Sequence, residues 1–78
     1  MRYLIKGCFD CVETILKNNK IKFFELCQTY SVDLSTYKKD LYGYIRFKMT
    51  GSERELSNFV IDLQSIEFDI KSIKKVRR

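Results

Sequence analysis

Histidine and proline are absent from this 78-residue chain, and glycine occurs only three times. Without histidine there is no Ser-His or Cys-His pair and no side chain whose ordinary pKa suits a general base near neutral pH. Catalysis would fall to carboxylates such as Glu25, Asp33, Asp40 or Asp62, and these stand in no recognisable arrangement, so no enzyme is expected. The lack of proline excludes a Pro-rich linker, and the scarcity of glycine argues against glycine-built phosphate loops. No apolar run approaches the roughly 20 residues needed to cross a bilayer, and the first residues lack the apolar core of a signal peptide. A soluble cytoplasmic protein with no membrane partner is expected. Cysteine is odd in number, at three, which points to a reducing compartment rather than a disulfide framework. Three thiols without histidine also fall short of a tetrahedral zinc site, so neither metal nor other cofactor is expected.

Six Phe and five Tyr, in contrast, are plentiful enough to build a core and leave some aromatics for a surface. A chain this short forms one domain, because it buries only about 60% of the surface that its unfolded form exposes. The net charge is +5, and Lys71, Lys74, Lys75, Arg77 and Arg78 crowd its last eight residues. Such a basic strand or tail over residues 70–78 favours polyanions.

The most strand-like run is Leu41 to Lys48. Its alternation sends Gly43, Ile45 and Phe47 to one face and Tyr42, Tyr44, Arg46 and Lys48 to the other. Thr50-Gly51 makes a turn, Ser52 and Glu55 have the spacing of a capping box, and Leu56, Phe59, Val60 and Leu63 repeat on one helix face. Upstream, Arg2 to Lys6 reads as a first strand of ambiguous parity ended by Gly7. Asp10 with Glu13 marks the start of a short helix that stops near Asn18-Asn19. Lys20 to Gln28, apolar and aromatic, reads as a second strand. Thr29 to Asp40 is a polar stretch that fits either the extended arms of a hairpin or a loop with one helical turn at Asp33 to Lys39. Glu67 to Val76 reads as a last strand with a bulge or a fraying end, since Phe68 and Ile70 alternate while Ile73 and Val76 fall out of step.

The resulting βαββαβ order resembles the ferredoxin-like fold. That resemblance implies one α+β domain over residues 1–78, with a four-stranded antiparallel sheet, two helices on one face and the other face open. Tyr42-Gly43-Tyr44-Ile45-Arg46-Phe47 is similar to the ribonucleoprotein motif on the third strand of RNA-recognition-motif domains. The likeness implies Tyr42 and Tyr44 stacking on bases with Arg46 and Lys48 near phosphates. Asp40 stands where that family places Lys or Arg, Leu41 where it places Gly, and only Tyr3-Leu4 stands for the partner motif on the first strand.

Two further resemblances compete. Cys8-Phe9-Asp10-Cys11 followed by Val12 to Leu26 is similar to the redox pair, first helix and second strand of glutaredoxins, which implies Cys8 as nucleophile and Cys11 as resolving thiol. The cis-proline those proteins need is missing. The Gly51 to Ile73 segment looks like small proteins of phages and mobile elements, anti-CRISPR proteins included. This implies an inhibitor or adaptor that binds a host protein, a nucleoprotein complex or a second copy of itself, without catalytic residues. The sequence therefore favours a binding module for single-stranded RNA or DNA, with a protein inhibitor next and a thiol redox protein third.

Overall fold

A computed structural model describes residues 1–77. The elements run β1 (Arg2–Phe9), α1 (Glu13–Thr29), β2 (Val32–Lys39), β3 (Ile45–Thr50), α2 (Glu53–Ser65) and β4 (Phe68–Val76). The strands form one antiparallel sheet in the order β2-β3-β1-β4, the ferredoxin-like arrangement. Period-two burial explains which side is sealed: Tyr3 and Ile5 on β1, Ile45, Phe47 and Met49 on β3, and Phe68 on β4 point into one core. They meet Phe23 and Cys27 of α1 and Phe59 and Leu63 of α2. Each helix thus offers a pair spaced four apart, one turn above the other on the same face.

Phe23 is the centre of that core. Its ring lies 5.3–5.6 Å from the rings of Phe9, Phe24, Phe47 and Phe68, and three of these four contacts are edge-on, the favoured geometry for aromatic quadrupoles. Two side-chain bonds tie the helices together above it. Asn19, buried on α1, donates through Nδ2 to the Ile66 carbonyl at the end of α2 at 2.8 Å. The Tyr30 hydroxyl donates to Asp62 Oδ2 at 2.6 Å. Ser52 and Glu55 form the expected capping box, with both reciprocal bonds present.

Several boundaries differ from the sequence reading. Helix α1 does not stop at Asn18-Asn19 but continues through residues 20–28, where a strand was expected. Asn19, Phe23 and Cys27 are its buried residues, a four-residue repeat that belongs to a helix and outweighs the strand propensity of Phe23 and Phe24. The true second strand lies in the polar stretch, as one arm of the hairpin reading. It is polar because it is an edge strand whose outward side chains need no core. Asp10 is not the cap of α1. Val12 holds the cap position without a side-chain bond, while the Asp10 amide donates to the Glu67 carbonyl at 2.7 Å.

Gly7 does not end β1 but sits inside it, opposite the β4 irregularity. Lys6 pairs with Ser72 and Gly7 with Ile70, leaving Lys71 as the extra residue of a bulge. That bulge is why Ile70 and Ile73 share a side although they are three apart. A Cβ on Gly7 would lie 2.5 Å from the Asp69 carbonyl oxygen and 2.6 Å from Phe68 Cε2, so close approach of β4 requires glycine here. The third strand begins at Ile45, later than expected. Leu41, Tyr42 and Gly43 form the β2–β3 turn, with Gly43 at φ +89°.

Candidate functional site

Residues directly opposite one another in an antiparallel sheet share a face, so the register assigns the side that the helices leave open. One row across it is Lys38, Arg46, Lys6 and Ser72, and the next is Asp33, Lys48, Leu4 and Lys74. Thr50, Arg2 and Val76 follow toward one end, and Cys8 with Asp69 lies at the other. In the first row three cations stand on three neighbouring strands, with Cα atoms of adjacent members about 5 Å apart across the sheet. Among the described residues the one ion pair is Lys71 with Asp69, at 2.6 Å. No carboxylate therefore bridges Lys38, Arg46 or Lys6.

The charge is divided between the layers. The open face carries Arg2, Lys6, Lys38, Arg46, Lys48 and Lys74 against Asp33 and Asp69. The helices carry Lys17, Lys20, Lys22 and Arg54 against Glu13, Glu25, Glu53, Glu55 and Asp62. The positive balance of the chain thus lies on the sheet and not on the helices.

Local structure shapes this surface. Between its pairings at Asp33 and Lys38, β2 has residues 34–37 where β3 has only Phe47. Asp33 closes the resulting bulge. Its Oδ1 accepts from the Ser35 amide at 3.1 Å and hydroxyl at 2.6 Å, and its carbonyl accepts from the Thr36 hydroxyl at 2.6 Å. Thr36 Oγ1 in turn takes the Lys48 amide at 2.8 Å, replacing a missing ladder bond. Those Ser35 bonds, helped by the charges of Arg2 and Lys48, hold the Asp33 carboxyl below its ordinary range. Beside the bulge is a shallow cavity of about 390 Å³ lined by Leu4, Ser35, Thr36, Lys38, Arg46 and Lys48. It presents three cations around one apolar residue, a setting suited to an anion with an apolar portion.

Tyr44, Arg46 and Lys48 lie on the open face as expected. The Lys6 ammonium sits 4.9 Å from the centre of the Tyr44 ring, a cation–π contact that holds the ring beside the cation row. Tyr42 does not share that platform, because it belongs to the turn and is 86% exposed. Tyr3, the first-strand aromatic, is buried on the helix side against the core. The two-tyrosine platform implied by the ribonucleoprotein-like motif is thus reduced to Tyr44. Asp40, the residue out of place in that motif, braces the turn, since its Oδ1 accepts from the Tyr42 and Tyr44 amides at 2.8 and 3.0 Å.

The basic C-terminal stretch is not one patch. Lys74 faces the open side opposite Leu4, Lys75 lies opposite Tyr3 on the helix side, and Lys71 is engaged by Asp69, which raises its pKa. Arg77 follows β4 and is exposed, and Arg78 lies outside the described residues. Arg2, Lys6 and Lys38 were missed as candidates. The parity of β1 is ambiguous in the sequence, and the second strand is expected at residues 20–28 and not at Val32–Lys39, so nothing in the sequence ranks those cations above others.

Cys8 and Cys11 are free and half-buried, the first on β1 and the second in the loop before α1. The glutaredoxin resemblance loses its second strand, because that segment is helix. Cys8 lies on β1, five positions before the first residue of α1, and does not cap that helix, whose cap position is held by Val12. Cys27 is buried, and desolvation pushes its thiol up to about 12. Of the carboxylates considered for catalysis, Asp33, Asp40 and Asp62 accept the structural hydrogen bonds described above. No helix among the described residues is long and apolar enough to cross a membrane. No protein-family model matches the chain, and no curated protein matches its sequence.

Proposed function

We propose that this protein is a binding module for single-stranded RNA or DNA that takes the phosphate backbone across the open face of the sheet. One observation carries the reading: the Lys38–Arg46–Lys6 row, three cations opposite one another with no bridging carboxylate among the described residues. Like charges placed directly opposite in a sheet oppose folding, so their value to the protein lies in what they attract. A polyanion brings phosphates to them and releases its condensed counterions, which favours binding most at low salt. Tyr44, held by Lys6, offers one π-face on which a base stacks regardless of its identity.

The alternative, an inhibitor or adaptor that adds a protein strand to a sheet edge, has less behind it. Edge strand β2 is broken by its bulge, and edge strand β4 is bulged at Lys71 and carries Lys71, Lys74 and Lys75. Bulges and edge lysines are devices that discourage strand addition.

The test is the affinity for a fluorescein-labelled oligouridylate and oligothymidylate, by anisotropy across a salt series. Binding is expected to weaken steeply with salt, and each neutralised phosphate contact lowers the log–log slope by about 0.7. Lys6→Gln with Arg46→Gln is expected to weaken binding about tenfold or more and flatten the slope, whereas Lys17→Gln with Lys22→Gln on α1 leaves both unchanged. Equal losses from the two double variants, or affinity indifferent to salt, would sink the proposal.

A further inference from the structure

The β2–β3 turn lifts Leu41, 100% exposed, and Tyr42, 86% exposed, away from the rest of the molecule. Two bare apolar side chains at a loop tip need no special account if the loop is loose, but this one is braced. The Asp40 amide donates to the Tyr44 carbonyl at 2.9 Å, and the Gly43 amide to the Asp40 carbonyl at 3.2 Å. Asp40 Oδ1 gathers the Tyr42 and Tyr44 amides as well. Gly43 supplies the left-handed φ that closes the turn. Neither Leu41 nor Tyr42 belongs to the core or to the hydrophobic residues packed against it.

The position of the tip indicates what it meets. Its arms run straight into the Lys38–Arg46 pair, Lys39 flanks it, and Tyr44 joins it to Lys6. An apolar knob beyond the strand ends, beside a cation row that runs across the strands, fits a ligand that is anionic along its backbone and flat and apolar at its bases. Because the turn is already ordered, binding there loses little conformational entropy.

We infer that Leu41 and Tyr42 form a pre-organised wedge that enters the base stack of a single strand whose phosphates lie on the Lys38–Arg46–Lys6 row. This rests on the nucleic-acid reading above and adds to it a second, uncharged contact that the row does not provide. Tyr42 stacks on one base and Leu41 packs against its neighbour, so the contact is indifferent to sequence and to salt.

The experiment compares the wild-type chain with Leu41→Ala/Tyr42→Ala on the same labelled oligouridylate, with far-ultraviolet circular dichroism as a control that the fold is kept. Affinity is expected to fall about tenfold with the log–log salt slope unchanged, the reverse of the Lys6→Gln/Arg46→Gln signature. Irradiation of the wild-type complex with a 5-iodouridine oligonucleotide is expected to crosslink Tyr42, located by mass spectrometry. Wild-type affinity retained in the double variant overturns the wedge while leaving the phosphate-binding row intact, and is also the result expected of a tip that docks on protein. A wild-type chain that binds no oligonucleotide overturns both readings together.

Discussion

The two faces of this sheet obey different rules. On the helix side, Tyr3, Ile5, Ile45, Phe47, Met49 and Phe68 are sealed under α1 and α2, and Asn19, the buried polar residue, has its hydrogen bond. On the other side Lys38, Arg46 and Lys6 stand opposite one another, paired with no carboxylate among the described residues. Burial of apolar surface explains the first arrangement fully and the second not at all. A face that opposes folding slightly is the one for which a polyanionic ligand is proposed above.

The largest test of this contrast is on the sealed side. Phe23→Ala removes the ring at the centre of the aromatic cluster, 1% exposed, and is expected to cost about 3–5 kcal/mol. A domain of 78 residues has a total stability of only about 4–12 kcal/mol, so the variant should unfold at a much lower denaturant concentration or fail to fold. A denaturant midpoint close to that of wild type would show that the core is not organised around this helix residue. Gly7→Ala comes next. Its Cβ would meet a backbone carbonyl of β4 that cannot swing aside, and a cost of about 1–3 kcal/mol is expected, with amide exchange quickening in β4 before β3. Wild-type stability would mean that β4 is free to move away from β1.

Phe23 lies in the stretch whose strand-like composition misleads, whereas other stretches are readable. The inward alternation at Ile45 and Phe47, the Ser52–Glu55 box and the Phe59–Leu63 spacing were plain, because each is local and each agrees with its neighbours. The spacing of Ile73 and Val76 fitted either a bulge or a fraying end of β4, and the register shows the bulge at Lys71. The ferredoxin-like order emerged although its second strand was sought in the wrong place, since residues 20–28 mix strand-forming aromatics with a helical repeat that shows only once Asn19 is known to be buried. An edge strand broken by a four-residue bulge has no period to detect, so β2 and its Lys38 stayed hidden. The open face was half legible. Tyr44, Arg46 and Lys48 followed from the parity of β3, but the row they belong to exists only through pairing with β1 and β2, which no local pattern encodes.

The smallest effect bears most directly on the contrast. Arg46→Gln takes away the middle cation of the row, leaving Lys38 and Lys6 on strands either side of a neutral residue. Relief of two like-charge contacts on an exposed surface raises stability by no more than about 0.5 kcal/mol once solvent and salt have screened them. The gain should be clearest at low ionic strength and should vanish near 1 M salt, where the Debye length is about 3 Å and shorter than the spacing of the row. Thermal melts of the two proteins at both salt concentrations measure it. Both sealed-side substitutions above are expected to lower stability, so a change on the open face that raises it while weakening oligonucleotide binding would separate the two faces by sign as well as by size. If Arg46→Gln instead destabilises the chain by more than about 1 kcal/mol, the guanidinium is part of the fold, and the division between a face that holds the protein together and a face that binds no longer stands.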